Sequence, residues 1–233
     1  MLLVGFFGTL TISNIFAAGG ELNSGNIVTE YGCAIDATNC NLKGLGITSI
    51  AVDTFVNHTN LIDLYLSSNQ ISELPTGIFD SLSGLQQLYL SENKISVLPT
   101  GIFDSLTGLT YLDLDSNQLS SIYLSGFSKL ERLSLNYNEL NTIILSGLSS
   151  LNYLECYVNQ ITEINLSELT SLTHLDLSYN QLTEIIGLET LSNISKGNIE
   201  QNNFSFGYID NNQDFFDSHN ISYYPQKISN DDE

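Results

Sequence analysis

The eleven-residue frame L-x-x-L-x-L-x-x-N-x-L recurs through this chain at a nearly fixed interval, and no other feature constrains the fold as much. It begins at Leu61, Leu85, Leu109, Leu130, Leu151 and Leu172, with Ile in the last slot of some copies and Cys156 in one leucine slot. A weaker copy, ISKGNIEQNNF, starts at Ile194 and has Gly197 in an apolar slot. Another, ATNCNLKGLGI, starts at Ala37 with Cys40 and Leu42 in the central apolar slots. The starts are spaced by 24, 24, 24, 21, 21, 21 and 22 residues. Self-similarity at such a period means a solenoid, because each unit is too small to bury its apolar face alone and must stack on its neighbours.

Each fixed letter has a physical reason. The L-x-L core alternates with period two, so Leu64 and Leu66 point to one side of a short strand while Asp63 and Tyr65 point to the other. One such strand per coil makes a parallel sheet with an apolar inner face. Asn69, Asn93, Asn117, Asn138, Asn159, Asn180 and Asn202 follow where the strand turns inward. A buried turn leaves backbone donors and acceptors without partners, and a side-chain amide satisfies them. These asparagines are therefore structural. Eighteen residues into each coil stands a second column: Phe55, Phe79, Phe103 and Phe127, then Leu148 and Leu169. It fills the outer side of the core with large apolar bodies. The change from Phe to Leu comes at the first coil after the period drops from 24 to 21, where less room separates the layers.

On these residues the chain resembles a leucine-rich repeat protein, across roughly residues 33–204. LPTGIFDSLSGL and LPTGIFDSLTGL are similar to the 24-residue repeats of extracellular recognition proteins, including the variable lymphocyte receptors. The later 21- and 22-residue coils are similar to those of bacterial internalin-type surface proteins. The resemblance implies a curved α/β solenoid of about eight coils. A concave parallel β-sheet would face one way, with 3₁₀, short-helical or irregular segments on the convex side. It also implies a binding module rather than an enzyme.

The ends are read separately. Residues 1–19 are mostly apolar and finish in small residues, like the hydrophobic core and cleavage site of a secretory signal; a buried N-terminal strand or helix is the alternative. Residues 20–32 read as a linker, and 205–233 as a C-terminal cap with an acidic tail. Phe206, Tyr208, Ile209, Phe215 and Phe216 are candidates to cover the last coil. The run from Asp210 to Asp217 lacks the glycine and the distal glutamate of a calcium loop, so it reads as a solvated acidic turn. The spacing of Cys33 and Cys40 resembles part of the cysteine-bearing N-terminal cap of extracellular members of the family. That resemblance implies a disulfide, with two unpaired core thiols as the alternative. Cys156, in a leucine slot, is expected to be a buried free thiol.

Composition narrows the function. With 26 acidic and 6 basic side chains the formal net charge is −20, which argues against nucleic acid or anionic membrane and favours a basic or neutral partner. No stretch is a confident membrane span. A phosphate-cradling glycine loop, a nucleophile elbow and a metal-spaced histidine cluster are all missing from the sequence, so it calls for no cofactor, metal or catalysis. Five sequons, starting at Asn57, Asn165, Asn193, Asn203 and Asn220, matter only in a glycosylating host.

The free slots of the frame, its second, third, fifth, seventh and eighth positions, are expected to line the concave sheet. They hold Asp63, Tyr65, Gln87, Tyr89, Tyr111, Asp113 and Asp115 in the first half, and Arg132, Tyr137, Tyr153, Glu155, Tyr157, His174, Asp176 and Tyr179 in the second. Seven of the twelve tyrosines fall there. Tyrosine combines large contact area with few rotors and is enriched at binding hot spots, and carboxylates add selectivity for a cationic partner. Strand propensity alone is the plainer explanation of the tyrosines. The sequence thus predicts a secreted or cell-surface module that binds a protein or glycoprotein. The rival is a structural spacer or self-assembly module of a cell envelope.

Overall fold

The computed structural model of the chain describes residues 20–29 and 31–226. The signal-like residues 1–19 and the end of the acidic tail, from 227 onward, lie outside the described residues. The described elements begin with β1 (Glu21–Leu22), α1 (Asn26–Thr29), β2 (Asn39–Asn41), β3 (Ser49–Ile50), β4 (Asp63–Tyr65), β5 (Gln87–Tyr89) and β6 (Tyr111–Asp113). They continue with β7 (Ser121–Ser125), β8 (Arg132–Ser134), β9 (Thr142–Ser146), β10 (Tyr153–Glu155), β11 (Ile164–Asn165) and β12 (His174–Asp176). The last are β13 (Ile185–Ile186), a 3₁₀ turn (Leu188–Thr190), β14 (Lys196–Asn198), α2 (Phe206–Ser218) and β15 (Ile221–Ser222).

Nine strands form the concave parallel sheet, in the spatial order β15-β14-β12-β10-β8-β6-β5-β4-β2. The register puts the central letter of each frame in one row: Cys40, Leu64, Leu88, Leu112, Leu133, Leu154, Leu175, Gly197 and Ile221. From Leu64 to Leu175 these leucines are fully buried. Eight strands come from the eight frames; the ninth, β15, comes from beyond the array.

The conserved letter of the turn joins one coil to the next. Asn117 Nδ2 donates to Leu114 O in its own coil (3.1 Å) and to Leu90 O in the preceding one (3.0 Å), while its Oδ1 accepts from Ile95 N (3.0 Å). Asn69, Asn93, Asn138, Asn159, Asn180 and Asn202 repeat the pattern. All seven are buried, with the backbone groups of the turn satisfied.

Behind the sheet, Phe55, Phe79 and Phe103 stack in sequence at 6.4 and 6.1 Å, and Phe127 closes the column edge-on at 6.4 Å. Strands in a sheet lie only about 4.8 Å apart. The outer column is therefore wider per coil than the inner sheet, and this wedge bends the array around its strands.

The convex side changes character where the period shortens. In the 24-residue coils it is turns, because Pro75 and Pro99 lack a backbone donor and Gly77 and Gly101 sit at φ of 79° and 72°. In the shorter coils it carries strands rather than the expected irregular segments. Parallel β7 and β9 pair over five residues each, and β11 pairs with β13. The reason lies in SIYLS and TIILS, where the proline is gone and β-branched or aromatic residues alternate with buried Ile122, Leu124, Ile143 and Leu145.

Both ends are covered. The described residues of the stretch 20–32 belong to the cap rather than to a linker: β1 pairs with β3, and Leu22 and Ile27 are fully buried. A sequence ELNSGNIVT reads as polar, yet Leu22 and Ile27 plug the open end, with Val28 packed half-buried beside them. The disulfide Cys33–Cys40 (Cα–Cα 5.3 Å) ties this cap to β2. At the other end α2 begins at Ser205, whose hydroxyl accepts from Tyr208 N (3.1 Å), and buries Ile209 and Phe216 against the last coil. Tyr208 and Phe215 are partly buried there, while Phe206 faces solvent. The acidic run from Asp210 to Asp217 is a helix and not a turn, with Asp210, Asp214 and Asp217 exposed at i, i+4 and i+7.

Candidate functional site

Only the third and fifth positions of each frame lie on concave strands, flanking the buried central residue. Their side chains form two rows across the sheet. The third-position row is Asp63, Gln87, Tyr111, Arg132, Tyr153, His174 and Lys196. The fifth-position row is Tyr65, Tyr89, Asp113, Ser134, Glu155, Asp176 and Asn198.

The two rows are joined by one continuous stack of flat groups. Tyr65 lies parallel to Tyr89 (4.5 Å, 9°), and Tyr89 meets Tyr111 edge-on (4.9 Å). The Arg132 guanidinium sits between Tyr111 and Tyr153, 5.7 and 4.2 Å from their ring centres. Tyr153 then stacks on His174 at 4.1 Å. Six side chains from six neighbouring strands thus hold one another upright, which fixes their rotamers in advance of any contact.

Carboxylates are set into this stack by hydrogen bonds. The Tyr153 hydroxyl donates to Glu155, whose Oε1 also lies 3.3 Å from His174 Nε2. Burial first, and then the bond to Glu155, pushes the Tyr153 phenol up to about 12, so it is a protonated donor at neutral pH. Burial, followed by the Tyr137 ring's hydroxyl, does the same for Tyr157. Burial and the neighbouring Asp113 charge raise Tyr111 further. Asp113 and Asp115 are both held above the ordinary aspartate range, chiefly by burial.

Asn136 completes the network, and sequence reasoning missed it. Its backbone N and Nδ2 donate to Asp115 (2.7 and 3.2 Å), Nδ2 also reaches Ser134 Oγ and Glu155 Oε2, and its Oδ1 accepts from Tyr157 N. Buried Ser178, also missed, donates to Asp176 (2.6 Å). An asparagine in an asparagine-rich chain gives little signal. The clue was that Asn136 replaces the serine or aspartate found at that position in the first coils.

The seventh and eighth positions stand in the turn beyond the strand rather than on the sheet. Asp115 and Tyr157 occupy the seventh, Tyr137 and Tyr179 the eighth. Every eighth position from the second frame on has a left-handed backbone: Ser68, Glu92, Ser116, Tyr137, Val158, Tyr179 and Gln201 lie at φ between 53° and 58°. Tyr137 and Tyr179 are 52% and 54% exposed, and Tyr137 meets Tyr157 edge-on at 5.1 Å. The predicted residues therefore divide into a sheet group and a rim group.

A sequence model described as leucine rich repeat matches residues 39–95, 59–119 and 83–140, and a second of the same description matches 171–193. The chain belongs to the leucine-rich repeat family. Solved structures of other leucine-rich repeat proteins share its architecture. A leucine-rich repeat protein of Leptospira interrogans aligns at TM-score 0.69 and 25% identity, over 79% of this chain and 48% of that one. An internalin of Listeria monocytogenes aligns at TM-score 0.68 and 27% identity, over 83% of this chain and 56% of the other. This array thus spans about half the length of these two. A chain of an octameric complex of latrophilin 3, Unc5D and FLRT2, the last being its leucine-rich repeat component, aligns at TM-score 0.65 and 25% identity, over 82% of this chain and 61% of that one. No curated protein matches the chain. Among the described residues no helix is long and apolar enough to cross a membrane.

Proposed function

We propose that this leucine-rich repeat protein is a secreted or surface-attached recognition module that binds a protein or glycoprotein through its concave face and performs no catalysis. The observation that carries the proposal is the stack from Tyr65 to His174, six side chains that support one another and contribute nothing to the leucine core. A rigid row of tyrosines with one guanidinium presents large contact area at low entropic cost. Asp63, Asp113, Glu155 and Asp176 beside it favour a partner with cationic or hydrogen-bonding groups. The family supports the reading, since FLRT2 is found assembled with latrophilin 3 and Unc5D. Export is supported by the apolar start of residues 1–19 and by the Cys33–Cys40 bond.

The test captures partners from secreted and surface proteins on the immobilised chain, then titrates a captured partner against variants. Changing Tyr65, Tyr89 and Tyr111 together to Ala is expected to weaken binding roughly ten-thousandfold, if three losses of about 2 kcal/mol add. The far-ultraviolet circular dichroism should not change, because these side chains leave no core cavity. A matched change of exposed Thr76, Thr100 and Ser125 on the convex side should leave binding intact. The reverse result would assign the interface to the convex face.

A further inference from the structure

The eighth frame position is where the chain accepts a backbone penalty for no return within the fold. Left-handed φ is unfavourable for L residues other than glycine and asparagine, and most so for bulky or β-branched ones. Here that position carries Tyr137, Val158 and Tyr179 in three successive coils, at φ of 53°, 56° and 57°. Asparagine or glycine would be the stable choice. Both tyrosines have more than half of their surface exposed, so burial does not explain them. With Tyr157, edge-on to Tyr137, they make an aromatic ridge along the rim of the concave sheet.

The charges beside the ridge are one-sided. In this half of the array the third-position row carries two fixed cations, Arg132 and Lys196. The fifth-position row between it and the ridge carries Glu155 and Asp176, and Asp115 and Glu200 flank the ridge at the seventh position of the coils on either side. A cation approaching this half is turned away from the third-position edge and drawn to the ridge, where exposed rings also attract it by their faces.

We propose that the ridge of Tyr137, Tyr157 and Tyr179 is the docking site for a protein segment that presents arginine or lysine next to apolar side chains. The segment's cation sits against the tyrosine faces and the Glu155 and Asp176 carboxylates, and its apolar neighbours cover the rings and Val158. The inference rests on the concave-side reading and assigns a distinct part of it to the rim.

The probe is a synthetic ten-residue peptide of alternating arginine and leucine, titrated into the full chain by calorimetry. Its controls alternate glutamate with leucine and arginine with serine. Tyr137→Asn with Tyr179→Asn leaves net charge unchanged, which separates the ridge from general attraction to an acidic protein. This double variant is expected to bind the arginine–leucine peptide at least tenfold more weakly. Its Tm is expected to rise by about 2–4 °C, because asparagine tolerates the left-handed backbone. Tyr137→Phe with Tyr179→Phe should keep binding within about twofold, since the ring face remains. Ser116→Asn, at the same position outside the ridge, should raise Tm without touching binding. Unchanged affinity in the asparagine variant, a fall in its Tm, or equal binding of the glutamate–leucine peptide would overturn the proposal. The triple alanine variant of Tyr65, Tyr89 and Tyr111 separates the two readings. Loss of the peptide there but not in the rim variant rejects the ridge alone, and retention there with loss in the rim variant rejects the central stack alone.

Discussion

At the scale of single residues, Leu112 shows what holds a coil in place. It is fully buried in the middle of the central row, between Leu88 and Leu133 on the flanking strands. Leu112→Ala removes that volume where coils on both sides resist collapse, so a loss of about 2–5 kcal/mol is expected. Urea unfolding followed by circular dichroism measures it, and a loss below 1 kcal/mol would contradict tight stacking between coils. The cysteines give a second residue-scale test. Cys156 fills a leucine position with no exposure, and burial keeps its thiol well above the ordinary range. Thiol titration should find no reactive group in the native chain and one after unfolding without reductant. Three reactive groups after unfolding would mean that Cys33 and Cys40 are not bonded.

At the scale of elements, the concave strands were legible because Leu, Leu and Asn repeat at fixed offsets, and each offset is a burial or a hydrogen bond. The left-handed eighth position was not legible. Its letters are Ser, Glu, Ser, Tyr, Val, Tyr and Gln, none of which announces positive φ as glycine does. The convex strands β7 and β9 were less legible, because SIYLS and TIILS alternate over five residues only and do not recur along the array as the leucine frame does. Gly197 looked like decay of the frame, and the structure gives it a purpose. A Cβ there would lie 2.8 Å from Ile221 Cγ1, so the missing side chain makes the seat for β15. Gly197→Leu, which restores the frame, is therefore expected to destabilise the chain by roughly 1–3 kcal/mol, the range for overpacking, and to unpair β15. Hydrogen exchange at Ile199, whose N–H donates to Ser222 O, reports the unpairing; protection equal to that of the unaltered chain would refute it.

At the scale of the whole molecule, charge works against the fold at neutral pH. The formal net charge is −20, and Asp113 and Asp115 are held above their ordinary range mainly by burial. Carboxyls whose folded pKa is raised bind more protons folded than unfolded between the ordinary and the raised value. Their contribution to stability is therefore greatest below that window and is lost as pH rises through it. General repulsion among carboxylates has the same sign. Tm should thus increase as pH is lowered from 7 toward the ordinary carboxylate range at about 4, and added salt should raise it more at pH 7 than at the lower end. In Asp113→Asn the increase on acidification should be smaller, and a Tm that falls steadily from pH 7 toward that range would reverse the sign of the argument.

The junction between long and short coils has a consequence of another kind. β5, from the last 24-residue coil, pairs with β6, from the first 21-residue one, in the same register as any other neighbours, Leu88 opposite Leu112. Behind that unbroken join the outer wall changes from proline turns to paired strands. Inner and outer walls are therefore independent parts of each coil, and coils of unlike length are interchangeable so long as the eleven-residue frame is kept. A lineage carrying such an array can lengthen, shorten or shuffle it by unequal crossing-over between repeats. The inner rows then gain or lose a rung at a time, and novelty in recognition comes by recombination without a new fold having to be found.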